Sequence, residues 1–197
     1  ASGRTGADNP LTKLKVRHAF CLVIYRKAIA DKLVTGGSRV PSAPCFPSQF
    51  GCDAEAAVTY DYDPAKAKLL LAEAGYPDGF DVELASYVLP QWGSAVQNYL
   101  HAVGIRAKLN QFQVAALIQR AKAGELRAYL GSWGSYSIND VSAILPNYFD
   151  GGADDYARDP DVQKWLTQGG SSISPEVRKE AYSAAIKKIT EQAYWAP

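Results

Sequence analysis

Methionine is missing from the 197 residues, and histidine is confined to His18 and His101. The chain opens on Ala1-Ser2-Gly3 with no basic and then apolar leader, so a start codon and any secretion signal are expected to lie outside it. A large excess of either sign of charge is also missing, since 21 Lys and Arg face 20 Asp and Glu, a net charge of +1, with the signs interspersed. A binder of the phosphate backbone needs a clustered basic excess, so no nucleic acid partner is expected. Long apolar runs are absent too. The stretch 19–24 is closed by Tyr25, Arg26 and Lys27, well short of the roughly 18 residues of a membrane span, and no membrane insertion is expected. Cysteine is scarce, and neither histidine lies near a cysteine pair, so zinc lacks ligands and no metal or cofactor is expected.

The parts of common enzyme sites are lacking as well. Gly131-Ser132-Trp133-Gly134 is not a nucleophile elbow, and no Gly-rich strand-to-helix turn matches a nucleotide fingerprint. The Asp150 to Asp155 stretch carries oxygen ligands at the wrong spacing for a calcium loop. His18 and His101 fall in helical patterns, where a structural role is the simpler reading. A hydrolase or transferase would need a nucleophile and base that the sequence does not offer, and no enzyme activity is expected.

What is present is a chain with 47% hydrophobic residues, enough for one buried core. The sequence reads as a single lobe over 1–197, with the polar, Gly-containing residues 1–9 as a flexible segment. Residues 12–34 read as one long buried helix stopped by Gly36-Gly37, and 38–58, rich in Pro and Gly, as an extended surface loop. Asp63 has the chemistry of an N-cap and Pro64 that of a first helical position, with Ala67, Leu70, Leu71 and Ala74 at helical spacing. Tyr76-Pro77-Asp78-Gly79 makes a turn, and Phe80 to Leu84 alternates like a half-buried strand. Beyond it a helix over 96–103, a strand over 105–109, a helix over 114–121 and a strand over 126–131 follow with short connections. That alternation predicts an α/β fold, a mixed or parallel sheet flanked by helices in three layers. The remainder is helical, with starts at Asp159-Pro160 and Ser174-Pro175. The aromatic end Tyr194-Trp195 is unusual for a free terminus and leads to the expectation that the natural chain continues.

Cys21 sits in an apolar run and reads as core. Cys45 and Cys52 bracket a short Pro- and Gly-containing loop; a disulfide in an oxidising compartment and two free thiols are both open, since spacing alone does not fix geometry.

Ligands of open α/β sheets bind beyond the carboxyl ends of the strands, where loops converge. The three loops there are 85–93, 111–114 and 132–140, and they carry Tyr87, Trp92, Gln113, Trp133, Ser135, Tyr136, Asn139 and Asp140. Aromatic rings and hydrogen-bonding groups with little charge suit an organic solute that stacks and hydrogen-bonds. Packing under loops is the other reading for Trp92 and Trp133.

Val16-Arg17-His18-Ala19-Phe20, Tyr25-Arg26-Lys27-Ala28-Ile29 and above all the run Tyr62-Asp63-Pro64-Ala65-Lys66-Ala67 through Leu71-Ala72-Glu73-Ala74-Gly75-Tyr76-Pro77-Asp78-Gly79-Phe80 carry a family likeness. Together with Gly104-Ile105, Gly124 and Gly131-Ser132-Trp133, they make the chain resemble the extracytoplasmic solute-binding proteins of the dipeptide, oligopeptide and nickel ABC-transporter family. The resemblance implies a type II periplasmic binding protein fold in which two lobes close over a solute, and this chain looks like the second, C-terminal-side lobe alone. It also implies a periplasmic or extracytoplasmic place, no catalysis, the missing first lobe as partner, and delivery of a small peptide or other polar solute to a membrane permease. In the family the tryptophan matching Trp133 lines a side-chain pocket. The acidic residue that peptide binders place three positions on is here Tyr136, and the arginine of dipeptide binders before the next helix is replaced by Pro90-Gln91-Trp92. Tyr25-Arg26 departs from the family's Asp-Arg. Losing both charged anchors argues against a small zwitterionic peptide unless the other lobe supplies them, and leaves an oligosaccharide or opine open. A free-standing α/β interaction module and self-association through the bared cleft face are the further alternatives.

Overall fold

The computed structural model describes residues 6, 8–34, 36–134 and 138–197. The described residues divide into two compact units, an α/β unit from those between 6 and 40 together with 60–132, and a helical unit from 41–59 together with those between 133 and 197.

In the α/β unit a short 3-10 turn at Pro10–Thr12 leads into α1 (Leu14–Val23), α2 (Arg26–Leu33), α3 (Pro64–Glu73), β1 (Phe80–Ser86), α4 (Pro90–His101), β2 (Ile105–Gln111), α5 (Val114–Ala123) and β3 (Ala128–Leu130). The three strands form a parallel sheet in the order β2-β1-β3. Successive residues of a strand point to opposite faces. Phe80, Val82 and Leu84 accordingly share a core with Val16, Val23, Leu71, Leu100 and Ile105 from α1, α3, α4 and β2. Ala85 packs on the other side with Leu117 and Ala121 of α5 and with Leu126. Helices therefore cover both faces, the three-layer α/β arrangement that the sequence predicts. Asp63 caps α3 by accepting from the Lys66 amide, with Pro64 in its first turn.

Four local expectations need correction. The helix expected over 12–34 is two helices, because Ile24 is extended and the Leu22 carbonyl accepts from the Asp63 amide, so the backbone leaves the helical path for a tertiary partner. The helix expected from residue 96 begins at Pro90, placing Trp92 and Gly93 on its first turn rather than in a loop. Gly93 has a packing reason for its place: a Cβ there would lie 3.0 Å from a Leu109 methyl, so its small size lets α4 approach β2. The third strand is shorter than expected, Ala128–Leu130. Finally, Asn9, within the stretch expected to be flexible, is buried and its side chain accepts from the Leu11 amide; residues 1–5 and 7 lie outside the described residues.

The helical unit contains a 3-10 turn at Val141–Ala143, then α6 (Leu145–Phe149), α7 (Pro160–Ser171) and α8 (Pro175–Glu191). Asp159 and Ser174 cap α7 and α8 as the sequence predicts. The centre of this unit is Tyr182, wholly buried with Val141, Leu145, Leu166, Ile186 and Ile189. The stretch 38–58, expected as an extended surface loop, contains no helix or strand, but part of it is anchored to the helical unit. Ala43, Pro44, Cys45 and Gln49 are buried, the Val58 amide donates to Thr190 Oγ1, and Asp53 accepts from the Ser183 hydroxyl. These last two partners lie more than 100 residues away in sequence, which is why the segment shows no periodicity. Cys45 and Cys52 form a disulfide across it, and Cys21 is free and buried, its thiol pushed up to about 11 by burial. Trp195 packs on Tyr148 and Phe149 within the same unit.

Candidate functional site

The predicted ligand edge is divided between the units. In the α/β unit, Tyr87 follows β1 and its hydroxyl both accepts from the Ser132 amide and donates to the Ser132 carbonyl, each at 2.6 Å. Trp92 is half-buried, and its indole N–H donates to the Leu33 carbonyl at 3.0 Å, which ties α4 to the end of α2. Gln113 is the exposed N-cap residue of α5. The Ser86 hydroxyl, at the carboxyl end of β1, is buried with no hydrogen-bond partner among the described residues. His101 Nε2 lies 3.0 Å from the Ala107 carbonyl, and the His18 ring lies 5.2 Å from that of Tyr60.

In the helical unit Trp133, Asn139 and Asp140 lie on one stretch of chain, and the disulfide loop is strapped to it. Ser135 and Tyr136 lie outside the described residues. The Gln49 side-chain amide donates to the carbonyls of Ile138 and Asp140 at 3.1 and 3.3 Å, while its oxygen accepts from the Phe46 amide at 3.0 Å. The Phe50 amide donates to the Asn139 carbonyl, and the Val141 amide donates to the Phe50 carbonyl, making a parallel bridge between Phe50 and Asp140. At the other end of the loop the ring of Phe46 stacks on Trp133 with centroids 6.0 Å apart.

Asp140 is held in place rather than left open. Its carboxylate accepts from the Ser142 amide at 2.9 Å and pairs with Arg178 at 2.8 Å. Arg178, on α8, also donates to the Gly169 carbonyl and to the Tyr182 hydroxyl, and lies over the Phe50 ring at 4.7 Å. Burial works to raise the Asp140 carboxyl, and the Ser142 bonds and the Arg178 guanidinium outweigh it, holding it below the ordinary value of 3.8. A carboxyl lowered on folding contributes stability above its unfolded value, and that stability is lost as pH falls through the folded value. The urea midpoint of the chain is therefore expected to fall between about pH 5 and about pH 3, and Asp140→Asn to flatten that fall while costing about 1 kcal/mol at neutral pH. An Asp140→Asn variant with the parent's full acid sensitivity would remove this ion pair from the account.

Sequence reasoning missed Phe46, Gln49, Phe50 and Arg178. The bracketing cysteines were a signal for the first three. Arg178 gave none, because its partner lies 38 residues earlier.

The parallel sheet between helix layers is shared with the structural neighbours of this chain, which are type II periplasmic binding proteins. The chain belongs to the bacterial extracellular solute-binding proteins, family 5, whose middle region matches residues 4–155. It is similar to Heme-binding protein A of Haemophilus influenzae, at 27% identity over 209 residues covering 95% of this chain and 36% of that protein. It is also 32% identical over 132 residues to Di/tripeptide-binding protein 1 of Pseudomonas aeruginosa, covering 63% of this chain and 24% of the relative. Among solved structures, HbpA2 from Haemophilus parasuis superposes with a TM-score of 0.85 at 26% identity, over 93% of this chain and 38% of that one. The chain thus spans little more than a third of the length of these relatives at most. No helix among the described residues is long and apolar enough to cross a membrane.

Proposed function

We propose that this chain is one lobe of an extracytoplasmic, periplasmic solute-binding protein that carries a small peptide to the permease of an ABC importer, with no chemical change to the cargo. The observation that carries the reading is the family match over residues 4–155, supported by the relative whose name is di/tripeptide-binding. In this reading the ligand-contacting candidates are Trp133, Ser135, Tyr136, Asn139 and Asp140 of the helical unit and, separately, Tyr87, Trp92 and Gln113 of the α/β unit. Asp140 acts there by shaping the edge, since its charge is balanced by Arg178. The peptide's termini are held by the remainder of the protein, and this lobe contacts its side chains. Closure of the lobes buries the ligand and marks the loaded state for the permease.

The test is thermal-shift screening of the full-length protein that carries these residues against di-, tri- and tetrapeptides, oligosaccharides and opines. Ligand binding to the native state alone stabilises it by about 2.7 kcal/mol at a hundred times the Kd. Peptides are expected to raise the Tm and Trp133→Ala to abolish the rise. A rise with sugars or opines and none with peptides would overturn the peptide reading.

A further inference from the structure

Three successive carbonyls, those of Ile138, Asn139 and Asp140, all accept from one short loop. The Gln49 side-chain amide donates to the first and the third at 3.1 and 3.3 Å, and the Phe50 amide donates to the second at 3.0 Å. Ile138 and Asn139 belong to no helix or strand, and both are exposed. A stretch of this kind has no ladder of its own to fix it, so its place is set by whatever holds its carbonyls.

Gln49 is itself held on every side. It is 5% exposed, its side-chain oxygen accepts from the Phe46 amide, its backbone amide donates to the Phe46 carbonyl, and its carbonyl accepts from the Cys52 amide. The Cys45–Cys52 disulfide closes the loop around it. A buried amide with both ends spent inside the fold is no ligand contact, but it sets the backbone that carries an exposed neighbour. A group fixed before the ligand arrives loses less freedom on binding than one on a loose loop.

Resting on the reading that counts Asn139 among the ligand-contacting candidates, we infer that Gln49 is a positioning residue for the ligand edge. It acts through the backbone of 138–140, placing Asn139 to hydrogen-bond the bound peptide while never touching the peptide itself.

The test is a double-mutant cycle read by calorimetric titration of the full-length protein that carries these residues. The probes are Ala-Ala and Ala-Ala-Ala, at a temperature where circular dichroism shows each variant folded. Gln49→Met keeps the length of the side chain and removes its hydrogen bonds. It is expected to raise the Kd about tenfold, and Asn139→Ala to raise it by a similar factor. Because Gln49 acts through the segment that carries Asn139, the doubly substituted protein is expected to bind about tenfold more weakly than the parent, not about a hundredfold. Ser174→Ala, which removes the cap of α8 in the same unit, is expected to lower the urea midpoint with the Kd unchanged, so lost stability is told apart from lost placement. Parent affinity in Gln49→Met or in Asn139→Ala, or losses that multiply, would overturn the inference and leave the peptide reading standing. If Gln49→Met does not fold, Gln49→Glu, which keeps the acceptor and loses the donor, takes its place in the cycle; failure of both to fold would assign the loop to folding alone and overturn the inference as well. A parent that binds neither peptide would overturn the peptide reading with it.

Discussion

Replacing Gly79 by alanine is expected to destabilise the α/β unit by at least about 3 kcal/mol, enough to lower its melting temperature by well over about 10 °C. Two costs add. Gly79 has φ +73, in the left-handed region, where an L side chain costs about 1–2 kcal/mol. A Cβ at this position would also lie 1.8 Å from the Gly104 carbonyl oxygen and 2.9 Å from the Gly104 Cα. Those atoms are backbone, so no rotamer change relieves the clash. The turn entering β1 and the turn entering β2 meet here because the strands pair in parallel from Phe80 with Ile105 onward. Separating the turns would break that register at its first pair, where both side chains are buried. Gly36 is the control. It has φ +85, and no described atom lies within 4 Å of where an added methyl would sit, so Gly36→Ala carries the conformational cost alone, about 1 kcal/mol. Circular dichroism melts of the two variants decide it: equal Tm values would show that the two turns are not in contact.

Tyr182→Ala is expected to cost the helical unit about 3–5 kcal/mol, the range for removing a large buried ring. Tyr182 is fully buried, and the surroundings are shaped to its ring. A Cβ at Gly51 would come within 2.6 Å of the ring, and one at Gly169 within 2.6 Å of its other side. Glycines from segment 41–59 and from α7 therefore leave room for the ring of α8, and deleting the ring leaves a void lined by separate pieces of chain. Tyr182→Phe keeps that volume and removes only the hydroxyl that accepts from Arg178 at 3.4 Å, so it is expected to cost about 1 kcal/mol or less. Urea unfolding followed by tryptophan fluorescence reads both, since Trp133, Trp165 and Trp195 pack against this core. Similar losses for the two variants would place the weight on the hydroxyl instead of the ring.

Much of the fold was legible along the chain because the forces that set it act over a few residues. Asp63, Asp159 and Ser174 accept from amides two or three residues on, so their capping is written locally. The alternation of Phe80, Val82 and Leu84 marks the face that the core covers, and the short connections imply parallel neighbours. The run 62–80 carried the family likeness, which the match over 4–155 shows. The candidate site was less legible. Trp133 is expected at the ligand edge from its loop and the family resemblance, whereas Phe46 lies far earlier in the chain and meets it only through the fold. Trp92 was expected in a loop, but Pro90 opens α4 ahead of it and its indole is committed to Leu33.

By itself, the order of residues determined where the helices capped by Asp63, Asp159 and Ser174 start, which face of β1 is apolar, that the sheet is mixed or parallel and which family the chain resembles, since caps, side-chain alternation and short connections are properties of neighbouring residues. Tertiary structure alone decided that the helix over 12–34 breaks at Ile24, that 41–59 joins 133–197 around Tyr182, that Cys45 pairs with Cys52, and that Asp140 is claimed by Arg178. The break at Ile24, the joining of 41–59 with 133–197 and the Asp140–Arg178 pair depend on groups distant in sequence meeting in one place, which has no local signature, while the disulfide, its cysteines only 7 residues apart, depends on a geometry that spacing does not fix.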